Sequence, residues 1–152
     1  MNKKLFFGLF FAVFGFACFS QNSEKVSELL ESENISKGQA AYFVCVYQNI
    51  ADENILEADA FSVLSERNLF GSKEVADEKI SLSKACFLIA RAANMKGGIF
   101  YSIFKTKRYA FREFKALEIV PKNADPQQSV SGAEFLALLN GFEQKGKKNG
   151  NY

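Results

Sequence analysis

The densest set of side chains able to recognise a charged ligand is Lys105-Thr106-Lys107-Arg108-Tyr109, extended by Arg112 and Lys115. On a helix, Arg108, Arg112 and Lys115 fall at i, i+4 and i+7 and share one face. Tyr101 and Phe104 lie just before them. Cations pair with carboxylates and aromatic rings stack on the faces of sugars, so this combination suits an acidic sugar. The competing reading is a solvated basic face that answers the acidic first half of the chain. Residues 21–80 hold 5 basic and 12 acidic side chains, and residues 81–152 hold 12 and 5, so the two halves attract each other.

Other chemistry is poorly supplied. The 152 residues include no His, which removes the commonest general base and the commonest zinc ligand, along with any Ser–His or Cys–His pair. Asp52, Glu53, Glu57 and Asp59 lack the spacing of an EF-hand loop and read as a solvated acidic cluster. No lysine-serine follows Gly97-Gly98, which therefore reads as a helix stop rather than a phosphate loop. No carboxylate pair stands out for glycoside hydrolysis. The expectation is a protein without catalysis, cofactor or metal, and an enzyme is the weakest of three functional readings.

Residues 1–20 have the pattern of a secretory signal peptide. Lys3 and Lys4 precede an apolar or small-residue run from Leu5 to Phe19, and Cys18 and Ser20 are small residues at the positions before a cut at Gln21. An uncleaved anchor and a lipoprotein acylated at Cys18 are the alternatives, although Gly15 stands where an aliphatic residue is usual. Cleavage removes two lysines and no acid, and takes the formal charge from +2 to zero. Export places Cys45 and Cys86 in an oxidising compartment, where a disulfide between them is one reading. Two small thiols packed in a core is the other.

The elements that must position these residues are helices. Residues 22–34 carry Val26, Leu29 and Leu30 at helical spacing, and the next helix, from Ser36 to about Asn49, is apolar on nearly every side. These two helices could run as one. Glu57 to Asn68 forms an amphipathic helix, Ser72 to Lys79 a charged loop, and Ser81 to about Asn94 a second buried helix. Residues 99–107 are aromatic and aperiodic and read as a loop or turn packed on the bundle, or a brief strand. A helix from about Arg108 to Leu117 and another from Ser131 to near Gly141 follow, with a disordered basic tail over 144–152.

The helices repeat. Ile35-Ser36, Ile80-Ser81 and Val130-Ser131 each place an apolar residue and a serine N-cap before a buried helix, with Gln39 and Glu134 in the capping-box position. Ala60, Phe61, Leu64, Leu69-Phe70, Ile80-Ser81 and Leu88-Ile89 recur as Ala110, Phe111, Phe114, Ile119-Val120, Val130-Ser131 and Leu138-Leu139, each 50 positions on and without a gap. In the first copy Leu29-Leu30 aligns with Val63-Leu64. Superposing the serines puts Cys86 level with Ala41 and Cys45 level with Ala90, one helical turn apart on one apolar stripe.

The stretch Val130-Ser131-Gly132-Ala133-Glu134-Phe135-Leu136-Ala137-Leu138-Leu139 resembles the Ile-Thr-Arg-Ala-Glu-Phe-Ala-x-Leu-Leu signature of S-layer homology (SLH) repeats. Tyr109-Ala110-Phe111 through Leu117-Glu118-Ile119-Val120 is similar to the family's other helix, which ends in Gly-Ile-Val. The resemblance covers about residues 22–143. It implies an all-α domain, over 21–143, of three tandem helix-loop-helix repeats. It also implies non-covalent attachment of an exported protein to cell-wall polysaccharide. The family's contacts include the signature's arginine and an aromatic at the start of the other helix. Here Lys37, Leu82 and Gly132 occupy the arginine position, so only Lys37 keeps a charge. The usual Trp is absent, and Tyr109 lies close to its place.

Together these readings give an exported, periplasmic or envelope-associated, all-α protein. Lys37, Tyr101, Lys105, Lys107, Arg108, Tyr109 and Arg112 are its candidate ligand-binding residues. Its expected partner is cell-wall polysaccharide or peptidoglycan, or another envelope protein docking on residues 99–104. Nucleic acid is not expected, and membrane contact is expected only through the signal peptide or an acyl chain on Cys18.

Overall fold

The computed structural model describes residues 23–148, which lie outside the expected signal peptide and Cys18. The fold is all-α. Its helices are α1 (23–31), α2 (Lys37–Tyr47), α3 (Glu57–Glu66), α4 (Leu82–Ala92), α5 (Ile99–Phe104), α6 (Lys107–Ala116) and α7 (Gly132–Lys148). Among the described residues the only extended pairings are two isolated bridges, Ser36 with Lys79 and Ser81 with Ser129.

Local chemistry sets the helix ends. Ser36 and Gln39 form a reciprocal capping box on α2, with both bonds at 3.0 Å. Ser131 and Glu134 do the same on α7 at 2.8 and 3.3 Å. Ser81 caps α4 in position only: its side chain makes no cap bond, and Lys84, the third helical residue, has no acceptor for the return bond. At the other ends, Asn49, Asn68, Asn94 and Glu118 take positive φ, and the amide after each closes back onto the last helical turn. Those bonds are Ile50 to Cys45, Leu69 to Leu64, Met95 to Ala90 and Ile119 to Phe114, at 2.8–2.9 Å.

The unsatisfied first amides of three helices are what joins the fold. Lys37 and Gly38 donate to the carbonyls of Glu78 and Ala76, both at 2.8 Å. Leu82 and Ser83 donate to Gln128 and Pro126 at 2.9 and 3.0 Å. Gly132 donates to Ser32 at 2.9 Å and closes the ring. At its centre Ile35 donates to Val130 and accepts from Ile80, and all three side chains are buried. Around this centre α2 packs on α3 and α4 on α6, while α4 also meets α2 and α7. Of the pairs 50 residues apart, Ala60 and Ala110, Leu64 and Phe114, Phe70 and Val120, Ile80 and Val130, Leu88 and Leu138, and Ile89 and Leu139 are buried at both members, while Phe61, Ile119, Ser81 and Ser131 are only partly covered.

Four expectations are corrected. Residues 32–36 separate α1 from α2, so the two do not run as one helix. Leu29 is buried and Leu30 is exposed, so Leu29 takes the core position that the alignment gave to Leu30. Residues 99–104 form a helix, not a loop or strand, since Tyr101 anchors one side and Ser102 Oγ donates to Lys96 O at 2.6 Å. The last helix passes Gly141 and Gln144 to reach Lys148, because buried Phe142 stacks on Phe114 and Lys145 Nζ donates to Glu118 O at 2.9 Å. Cys45 and Cys86 are free, buried thiols, in keeping with the reading of two small thiols packed in a core.

Candidate lysine-lined groove

The sequence places five lysines on four segments that the fold gathers around one open groove of about 920 Å³. Lys37 comes from the first turn of α2, Lys84 from that of α4, and Lys79 from the loop before α4. Lys105 and Lys107 flank the α5–α6 junction. Phe70 and Phe87 supply an aromatic surface, and Lys84 Nζ lies 4.9 and 5.4 Å from their ring centroids.

One carboxylate organises the inner part. Glu74 accepts from the Gly71 amide at 2.6 Å and from Lys84 Nζ at 2.8 Å, and its other oxygen lies 3.2 Å from Lys37 Nζ. Lys37 also bonds to Glu78. Burial acts to lower the Lys37 pKa, but the bonds from Glu78 and Glu74 outweigh it and hold the ammonium above its ordinary value. Burial likewise acts to raise Glu74, and Lys84, the Gly71 amide and Lys37 together hold it below. Glu78 is lowered by its bond to Lys37. The outer lysines differ: Lys79, Lys105 and Lys107 are exposed and form no salt bridge among the described residues. The groove therefore has a neutralised inner wall and a cationic rim.

A smaller groove of about 430 Å³ adjoins through Lys107 and includes Arg108, Phe111, Arg112 and Lys115. Arg108 and Arg112 are exposed, as the helical spacing requires. Lys115 is committed to structure, since its ammonium donates to the carbonyls of Lys122 and Ala124 at 2.9 and 3.0 Å.

The expected ligand residues are thus split. Lys105, Lys107, Arg108 and Arg112 present charge to solvent on neighbouring surfaces. Tyr109 is half-buried and stacks with Phe100 and Phe104, with centroids at 5.8 and 5.4 Å, and Arg112 lies over its ring at 5.9 Å. Two residues are corrected as direct contacts. Tyr101 is fully buried, and burial first of all pushes its phenol up to about 12. Lys37 is 8 % exposed and already neutralised by two carboxylates. Sequence inspection missed Lys79, Lys84, Phe70 and Phe87. The available signal was Lys84 standing where the other two helices carry the capping-box acceptors Gln39 and Glu134.

No protein-family model, curated protein or solved structure matches this chain.

Among the described residues no group of three or more metal-ligating side chains is arranged to hold an ion, and no helix is long and apolar enough to cross a membrane. What the groove can do is hold an extended anion: the exposed lysines pair with its charges while the partly exposed Phe87 ring contacts an apolar face.

Proposed function

We propose that this protein is a non-catalytic binding module that attaches to an acidic cell-envelope polysaccharide through the Lys79–Lys105–Lys107 rim. The observation that carries this reading is the pairing pattern. The inner lysines are balanced by Glu74 and Glu78, and the rim lysines are left for a ligand. An open groove beside the partly exposed Phe87 ring suits a polymer chain better than an enclosed small molecule. The SLH-like signature and the secretory leader support an envelope setting. The ring of backbone bonds joining the starts of α2, α4 and α7 supports three SLH-like units.

The test is binding of the full chain to purified cell-wall polysaccharide. Replacing Lys79, Lys105 and Lys107 with Ala should weaken binding roughly tenfold, and raised salt should do the same. Equal binding by the triple variant, or equal binding of a neutral glycan, would remove the proposal.

A further inference from the structure

The cationic rim does not account for α5. Ile99, Phe100, Ile103 and Phe104 are 78 %, 58 %, 67 % and 55 % exposed on a helix of six residues. Their spacing puts all four on one side, and Tyr101 and Ser102 hold the other side to the protein. A contiguous apolar patch of this kind needs a partner. Its surroundings specify the partner's charge. Lys96 precedes the helix, and Lys105, Lys107 and Arg108 follow it; the nearby acid is Glu113, beside Gly98. The patch is also held in place, because Phe100 and Phe104 both stack with Tyr109 of α6.

We propose that α5 is an interfacial anchor that inserts its apolar side into a membrane carrying anionic lipid, with the flanking cations at the headgroups. Four side chains bury too little apolar area to hold a protein on a bilayer alone, and cations flanking an apolar tip supply the rest by attraction to anionic headgroups. Aromatic rings favour the same interfacial depth. The apolar side of α5 lies outside the polysaccharide groove, although Lys105 and Lys107 border both, and it adds a membrane contact to those expected through the leader or Cys18.

The chain contains no Trp, so one introduced residue reports its own location. Full-length Phe100→Trp is mixed with vesicles of equal parts phosphatidylcholine and phosphatidylglycerol, with or without brominated acyl chains. Leu56→Trp, at an equally exposed site before α3, is the comparison. A blue shift and bromine quenching at Phe100→Trp, well beyond those at Leu56→Trp, are expected. Lys96→Ser and Arg108→Ser, neither of which lines the polysaccharide groove, should each weaken vesicle binding about fivefold. Phosphatidylcholine alone should bind far less. Equal quenching at the two positions would mean that binding runs through another part of the chain. No quenching at Phe100→Trp would leave α5 for a protein partner. Either result overturns the proposal without touching polysaccharide binding.

Discussion

A Cβ placed on Gly132 would lie 1.6 Å from the carbonyl oxygen of Leu29. The last long helix therefore begins in direct backbone contact with the first helix, and the Gly132 amide bonds to Ser32 three residues further on. Because the obstacle is main chain, no rotamer change relieves it. Gly132→Ala should destabilise the fold by about 3 kcal/mol, read as a lower urea midpoint. Gly71→Ala is the contrast: its Cβ would meet only the Glu74 side chain at 3.6 Å, and its effect should stay within about 0.5 kcal/mol.

Acid should weaken the protein through Glu74. Its folded pKa lies below the ordinary 4.5, as does that of Glu78, so their stabilising contribution is full above pH 4.5 and is lost as pH falls through the depressed values. Lys37 has the opposite sign. Its folded pKa lies above the ordinary 10.5, so its contribution is full below that pH and is lost as pH rises through the elevated value. The contribution of these three groups should be constant between these limits, while above the ordinary thiol value of 9.0 the raised Cys45 and Cys86 thiols should lower stability. Glu74→Gln should cost about 2 kcal/mol at neutral pH and flatten the acid limb, in thermal unfolding followed across pH.

How much of this was legible follows from the range of the forces. Local signals were read well: the serine caps of α2 and α7, the Asn helix ends, and the loop from Ser72 to Lys79 before Ile80. Burial at Ala60, Leu64, Phe114 and Leu139 followed from apolar spacing. The helical state of 99–104 was hidden because four of its six side chains are apolar yet exposed, which removes the hydrophobic periodicity that marks a helix. The groove was hidden for a different reason. Lys37 and Lys84 are 47 positions apart and meet only because Glu74 draws both ammonium groups to one carboxylate. Gly141 was misread as a stop because the cue that overrides it, the Phe142–Phe114 stack, is a long-range contact.

The core thiols give a redox prediction. Burial pushes the Cys45 thiol up, and it pushes Cys86 further, beyond the range in which a thiolate forms near neutral pH. Neither residue should react with a disulfide reagent in the folded protein. In Cys18→Ser, thiol titration should find no reactive group until denaturant is added, and two afterwards. Fast labelling of folded protein would contradict the packing around Cys45 and Cys86.

The C-terminal extension of α7 gives the last prediction. Phe142 is fully buried and stacks on Phe114 with centroids 5.4 Å apart and planes 8° from parallel. Both rings lie inside the core, so truncating either leaves a cavity that flanking helices can only partly fill. Phe142→Ala should therefore cost about 3–4 kcal/mol in urea unfolding. Lys145 makes an exposed bond to the carbonyl of Glu118, where the chain turns through positive φ after α6. Lys145→Ala should cost about 1 kcal/mol or less. A chain ended after Gly141 should behave like Phe142→Ala in stability and lose helical circular dichroism as well. If it instead matched the full chain, residues 142–148 would contribute nothing to the fold, and the stack on Phe114 would not hold in solution.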